Sequence, residues 1–191
     1  MSHSKYHIGI DLGTSNSSLS FYDEKHDSIE TLPVEQVHSP GKVHELFYLP
    51  SASYIPFEKE GGEKSFQLSW DTDGTSPDMV RGSYGKEKSQ TNGDRVISSA
   101  KSWLCYKLVT GEDKILPWAS AAVKEKYSPV EAVSGYLKHL REAFEHSSHG
   151  AKGAFKKGTK VITVPASFDE AARSLVLKAT KSAGYDKVSL L

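Results

Sequence analysis

G-I-D-L-G-T-S-N at residues 9–16 decides how the rest of the chain is read. On its N-terminal side, Y-H-I-G-I-D-L at 6–12 is a short, β-branched apolar run that reads as a buried strand ending at Gly13. On its C-terminal side, S-S-L-S-F-Y at 17–22 alternates polar and apolar, as a strand with one buried face does. Strand, glycine turn, strand predicts a β-hairpin with a tight turn at 13–16 and Gly13 at positive φ. Asp11 stands at the mouth of the first strand. Thr14, Ser15 and Asn16 bring backbone amides and two hydroxyls into one concavity. Such a nest suits phosphate oxygens, and Asp11 suits a magnesium ion held through water. A plain hairpin with polar turn residues fits the same letters, and local chemistry leaves both readings open.

Working outward, D-S-I-E-T-L-P-V-E-Q-V at 27–37 predicts a third, antiparallel strand. From about 38 to 118 the texture changes, with Pro40-Gly41, Gly61-Gly62, Gly74 and Asn92-Gly93 punctuating short apolar pieces. Strands are expected at 46–55 and 65–70, and a compact helix or turn at 96–108. The stretch reads as an inserted subdomain with surface loops.

Beyond residue 118 the pattern becomes helical. Ser128, Pro129 and Glu131 form a capping-box start for a helix over 128–148. Val130, Val133, Leu137, Leu140 and Phe144 make its single apolar stripe. A basic, solvated linker is expected at 151–158 and a strand at 160–168. Ser167 and Glu170 predict a second capping box before a helix at 169–183 that stops at Gly184. A final strand starts at 187. Strand, helix, strand at this spacing is a βαβ unit, and a core strand that stops at Leu191 predicts a piece of something longer.

The composition excludes several classes. Among 191 residues, 24 Lys+Arg balance 24 Asp+Glu, which argues against a nucleic-acid partner. Mean hydropathy is −0.47, and no apolar run approaches the ~18 residues of a membrane span. The start M-S-H-S-K-Y-H-I-G-I has no signal core, and the single Cys105 excludes an internal disulfide framework. Both fit a cytoplasmic protein.

Rival motifs are weaker. Gly153 and Gly158 imitate Walker A spacing, but Thr159-Lys160 reverses the required order and precedes a strand. Ser98-Ser99-Ala100-Lys101 matches S-x-x-K, without the companion S-D-N or K-T-G. Lys101 itself reads either as a snorkelling surface lysine or as a cation aimed into a phosphate cleft. His139, His146 and His149 lack ligand spacing and read as solvated, as do Lys152, Lys156, Lys157 and Lys160. Cys105 reads as a small buried residue.

Three segments together resemble one family. G-I-D-L-G-T-S-N-S-S-L-S-F at 9–21 resembles the first phosphate motif of the seventy-kilodalton heat-shock chaperones, the DnaK-like proteins. S-A-K-S-W-L at 99–104 is similar to that family's A-K-R-L segment, which puts Lys101 on its catalytic lysine. V-I-T-V-P-A-S-F-D-E-A-A-R at 161–173 resembles the family's V-T-V-P-A-x-F unit, with Pro165 and Arg173 in register. Pro50-Ser51 and Val80-Arg81-Gly82 fall where the family has its P-S and V-G elements. The wording resembles a divergent bacterial branch.

The resemblance implies an α/β, actin- and hexokinase-like (ribonuclease H-like) ATPase lobe. Residues 1–40 and 119–191 would form a five-stranded mixed sheet with helices, and 41–118 a smaller inserted α+β subdomain. Its implied ligands are ATP or ADP with Mg2+. Asp11 would hold the metal through water, Gly13, Thr14, Ser15 and Asn16 would cradle the phosphates, and Lys101 would reach the γ-phosphate. Pro165 and Arg173 would relay nucleotide state to a substrate-binding domain. Implied partners are unfolded polypeptide or other clients and co-chaperones. The family's glutamate after the last strand, its second D-x-G-G-G-T loop and its adenosine pocket do not occur in these residues. One lobe alone is therefore expected to bind ATP weakly and to hydrolyse none above background. A sugar or metabolite kinase lobe shares the D-L-G-T hairpin, and a non-hydrolysing scaffold would keep the fold.

Overall fold

The computed structural model describes residues 6–58, 60, 62, 64–72, 77–106, 108–149 and 153–191. The readings that rest on residues 1–5, Gly61, Gly74 and Lys152, and parts of the loops around them, lie outside the described residues.

The apolar hairpin forms as its alternation predicts. β1 (Tyr6–Asp11) pairs antiparallel with β2 (Asn16–Asp23), with Ile8 opposite Phe21 and Ile10 opposite Leu19. The third strand is shorter than its sequence reading. β3 (Ser28–Thr31) pairs antiparallel with β2, but Leu32-Pro33 breaks the run, because proline cannot donate to the ladder. The chain leaves into a separate ribbon of β4 (Val34–Ser39) and β5 (Lys42–Leu46). The single strand read at 46–55 is likewise split, into β6 (Leu49–Pro50), which pairs with the start of β2, and β7 (Ala52–Tyr54).

β7 is the centre of a three-stranded sheet flanked by β8 (Val80–Arg81) and β9 (Val96–Ser98). Between those two runs α1 (Ser83–Thr91), a helix with no sequence forecast. Its start is fixed from outside: the buried Gln36 Oε1 accepts from the Ser83 amide and from the Ser83 hydroxyl. Residues 65–70, expected as a strand, are turns, and Phe66 instead packs on Tyr84 of α1 at 5.2 Å between ring centroids. Val37, Ala52, Tyr54, Phe66, Val80, Tyr84 and Val96 form a core cluster of their own.

α2 (Ala100–Trp103) is a single turn that follows Ser99, whose φ of 54° is left-handed. α3 (Pro129–His146) starts with the expected capping box at Ser128 and Glu131. All five residues of its predicted stripe are buried, and Phe144 meets Phe21 of β2 at 5.4 Å. The expected linker at 151–158 contains a helical turn, α4 (Ala154–Lys157), because Phe155 enters the core against Tyr185. Lys160 is also buried rather than solvated. Its amine donates to the carbonyls of Lys156 and Asp186.

β10 (Thr159–Thr163) runs parallel to β1, and α5 (Glu170–Ser182) returns the chain to β11 (Val188–Leu190), parallel to β10. The predicted Ser167–Glu170 box is not the cap. Asp169 takes the N-cap position and its side chain accepts from the Ala172 amide, since a carboxylate nearer the helix amides suits the end better. The resulting mixed sheet has the order β11-β10-β1-β2-β3, with β6 added beside β2.

Candidate functional site

The parallel pair β1·β10 brings Asp11 opposite Thr163 at the carboxyl ends of both strands. Ligands of open α/β sheets bind beyond such ends. The Thr163 hydroxyl donates to Asp11 Oδ1 at 3.0 Å. That bond fixes one carboxylate oxygen and leaves the exposed Asp11 with a second for a cation or its water. Among the described residues no group of three or more His, Cys, Asp or Glu gathers to hold a metal ion, so a cation here would rely on Asp11, water and ligand oxygens.

Immediately after Asp11 the hairpin bends through Leu12–Ser15, with Thr14, Ser15 and Asn16 all exposed. Gly13 is not at positive φ, contrary to the sequence expectation. Its need for glycine is steric: a Cβ there would lie 1.9 Å from the Asn16 carbonyl oxygen, which folds back over it. The carbonyls of this bend are held from behind. The Ser51 hydroxyl donates to Gly13 O at 2.9 Å, and the Ser51 amide donates to Ser15 O at 2.9 Å. The amides of Gly13, Thr14 and Ser15 find no acceptor among the described residues.

Lys101 arrives from α2 and is only 8% exposed. Its Nζ donates to the Leu12 carbonyl, not to Ser98, so the S-x-x-K pattern has no partnered nucleophile. The amine also lies 5.6 Å from the Phe168 ring centroid, within cation–π range. Burial pushes its pKa below the ordinary lysine value, and the Asp11 carboxylate opposes that shift. The side chain is therefore neither a snorkelling surface lysine nor on the far side of the molecule.

Pro165 and Arg173 are half-buried and stand apart from this cluster. Pro165 O accepts from the Phe168 amide in the turn that carries Phe168 under Lys101. Arg173 lies on α5 and, among the described residues, makes no side-chain bond to the hairpin. Sequence reasoning missed Thr163 and Phe168 as members of the site, although both lie inside the quoted V-I-T-V-P-A-S-F segment. Period-2 patterning shows which residues face a core, but not which exposed strand end meets which carboxylate.

Two further expectations fail nearby. Cys105 is exposed rather than buried, because Leu104 takes the core position after α2. His139 is buried rather than solvated, and its Nε2 donates to Glu35 O at 2.8 Å. His146 remains exposed and His149 half-buried.

Comparisons with known proteins agree on a family. A family model described as Hsp70 protein matches residues 76–191. A chaperone protein HscA homolog of Pseudomonas putida is 32% identical over 186 residues, covering 96% of this chain and 26% of that protein. HscA homologs of Haemophilus influenzae and Pseudomonas fluorescens are each 31% identical over 185 residues, with the same coverage. The chain thus spans about a quarter of the length of these relatives. The match over more than half of this chain, carrying the lysine segment and the β10–α5–β11 unit that close on the hairpin, shows that the chain belongs to the Hsp70 family.

Proposed function

We propose that this chain is the first lobe of the nucleotide-binding domain of a DnaK-like chaperone, which binds ATP or ADP with Mg2+. The observation that carries the reading is the convergence on one strand end of the Asp11 carboxylate and the amides of the adjoining Gly13–Ser15 bend, which find no acceptor among the described residues, with the Lys101 amine from a distant segment. Membership of the Hsp70 family supports an actin-like ATPase fold. The proposed organisation is a sheet subdomain, 1–40 and 119–191, and an inserted subdomain, 41–118. The second core cluster around Tyr54 and Tyr84 lies mainly in the insertion, although Leu49, Ile55, Ile97 and Leu116 also join the main core.

Each residue has a proposed role. Asp11 would hold Mg2+ through water, its orientation set by Thr163. Mg2+ supplies neutralisation of the phosphate oxygens when bound. The backbone of Gly13, Thr14, Ser15 and Asn16 would donate to those oxygens. Lys101, already desolvated, would exchange its Leu12 carbonyl for the γ-phosphate, placing positive charge where transferring oxygens accumulate negative charge. Pro165 and Arg173 would transmit nucleotide state, Pro165 through the turn that seats Phe168 beneath Lys101.

The whole protein would use ATP turnover to control its hold on unfolded polypeptide or another client, with co-chaperones, in the cytoplasm. No helix among the described residues is long and apolar enough to cross a membrane. The test is calorimetric titration of the two-lobed protein with MgATP, beside its Asp11→Asn variant. The reading expects binding that needs magnesium in the parent and a much weaker magnesium requirement in the variant. Equal magnesium dependence in both would remove Asp11 from the metal site.

A further inference from the structure

Ser51 lies far from the hairpin in sequence, and the phosphate reading above assigns it nothing. It is 4% exposed, and it makes two bonds to one bend. Its hydroxyl donates to Gly13 O at 2.9 Å and its amide donates to Ser15 O at 2.9 Å. A third contact, 3.2 Å to the Ser17 hydroxyl, keeps the side chain in that rotamer. The preceding Pro50 pairs with Asn16 in the β6·β2 ladder, so the segment is registered against the hairpin by backbone as well.

The consequence follows from the planar trans peptide. The carbonyl of one residue and the amide N–H of the next point in opposite directions. Holding Gly13 O therefore aims the Thr14 N–H away from Ser51, and holding Ser15 O aims the Asn16 N–H away from it. Thr14 and Asn16 are both exposed. Free carbonyls on the same bend would repel an anion. Fixing the Gly13 and Ser15 carbonyls inward removes two acceptors from the face that the Thr14 and Asn16 donors occupy.

We propose that Ser51 is the positioning residue of the phosphate hairpin: by holding the Gly13 and Ser15 carbonyls it turns the Thr14 and Asn16 amides toward the oxyanions of a di- or triphosphate chain. The inference rests on the reading of the hairpin as a phosphate site. It names a residue outside the hairpin on which the site's preorganisation depends, and Ser51 itself touches no ligand.

The test uses this chain with inorganic triphosphate and magnesium as the probe, followed by amide NMR. Ser51→Thr and Ser51→Val have nearly equal volume and differ in the hydroxyl, and Ser51→Ala is the smaller control. In the unsubstituted chain, triphosphate is expected to shift the Thr14 and Asn16 amides. Ser51→Val and Ser51→Ala are expected to bind about fivefold to tenfold more weakly, as for one lost hydrogen bond. Their free Thr14 amide signals move, while circular dichroism stays unchanged. Ser51→Thr restores both signals and affinity. If the Thr and Val variants bind alike while the unsubstituted chain binds at the hairpin, Ser51 is not the positioning residue and the phosphate reading stands. If the unsubstituted chain shows no shift at residues 13–16 at millimolar probe, the phosphate reading fails and the proposal with it. Should Ser51→Ala not fold, the Thr–Val pair decides alone.

Discussion

The Lys101 amine donates to the Leu12 carbonyl, across 89 residues of sequence and one residue beyond Asp11. This contact joins α2 to the β1–β2 hairpin. It holds a cation, largely desolvated and under the influence of the Asp11 carboxylate, at the strand end proposed above as the phosphate site. The cost of that desolvation is opposed in part by the carbonyl, the Phe168 ring and Asp11, and burial still outweighs Asp11 in lowering the lysine pKa.

Thr163 is expected to matter through Asp11. Thr163→Val keeps the volume and removes the donor to Asp11 Oδ1. Because Thr163 is exposed, the melting temperature should stay within a few degrees. The magnesium concentration for half-maximal nucleotide binding by the two-lobed protein should rise about fivefold, in line with a lost charge-assisted bond. An unchanged magnesium midpoint would show that Thr163 does not orient Asp11.

Gly13→Ala places a Cβ against the Asn16 carbonyl, a backbone atom that no side-chain rotation can relieve. The bend must open. Overpacking of this kind costs about 1–3 kcal/mol, and the variant should lose hairpin binding of magnesium triphosphate while its far-ultraviolet dichroism is kept. Retention of binding at the level of the unsubstituted chain would mean that the closed bend is not the binding form.

His139 gives the chain a pH-dependent stability. Burial lowers its pKa from 6.5 to about 4. Between those values the unfolded chain takes up a proton that the folded chain refuses, so this contribution is present above pH 6.5 and is lost as pH falls toward 4. At full extent it is about 3 kcal/mol. Urea unfolding at pH 7 and pH 4.5 should show the parent losing about 2 kcal/mol more than His139→Gln, which keeps a donor for Glu35 O. Parallel pH profiles for the two proteins would contradict this.

Ser128→Ala removes the hydroxyl that accepts from the Glu131 amide at 3.1 Å. Loss of an N-cap costs about 1 kcal/mol, which lowers the melting temperature of a chain this size by about 2–4 °C. A melt unchanged by the substitution would mean that the capping box contributes nothing to α3.

The parts of the fold that were legible are those whose signals are local. Alternation at 17–22 gave β2, and the spacing of Val130, Val133, Leu137, Leu140 and Phe144 gave α3 its buried face. The illegible parts are fixed from a distance. α1 has no apolar stripe and takes its start from Gln36. Residues 65–70 carry strand-like letters but spend Phe66 on the core beside Tyr84. Charge and polarity misled at Lys160 and His139, where backbone carbonyls satisfy buried donors. Within the site, Asp11 and the hairpin could be read as candidates from their own letters. Lys101 needed the family resemblance, and Thr163, Phe168 and Ser51 needed the strand pairing that brings them there.

If the chain is one lobe of a two-lobed site, as proposed, these residues alone should hold MgATP more weakly than micromolar and show no turnover above background. Micromolar affinity by calorimetry for these 191 residues would overturn that expectation.

The central claim is that the Lys101 charge acts on the transferring phosphate. Its most direct test is steady-state ATP turnover by the two-lobed protein carrying Lys101→Ala. The account predicts a fall in kcat of about 10²–10³-fold with nucleotide affinity largely kept. A kcat equal to that of the unsubstituted protein would contradict it.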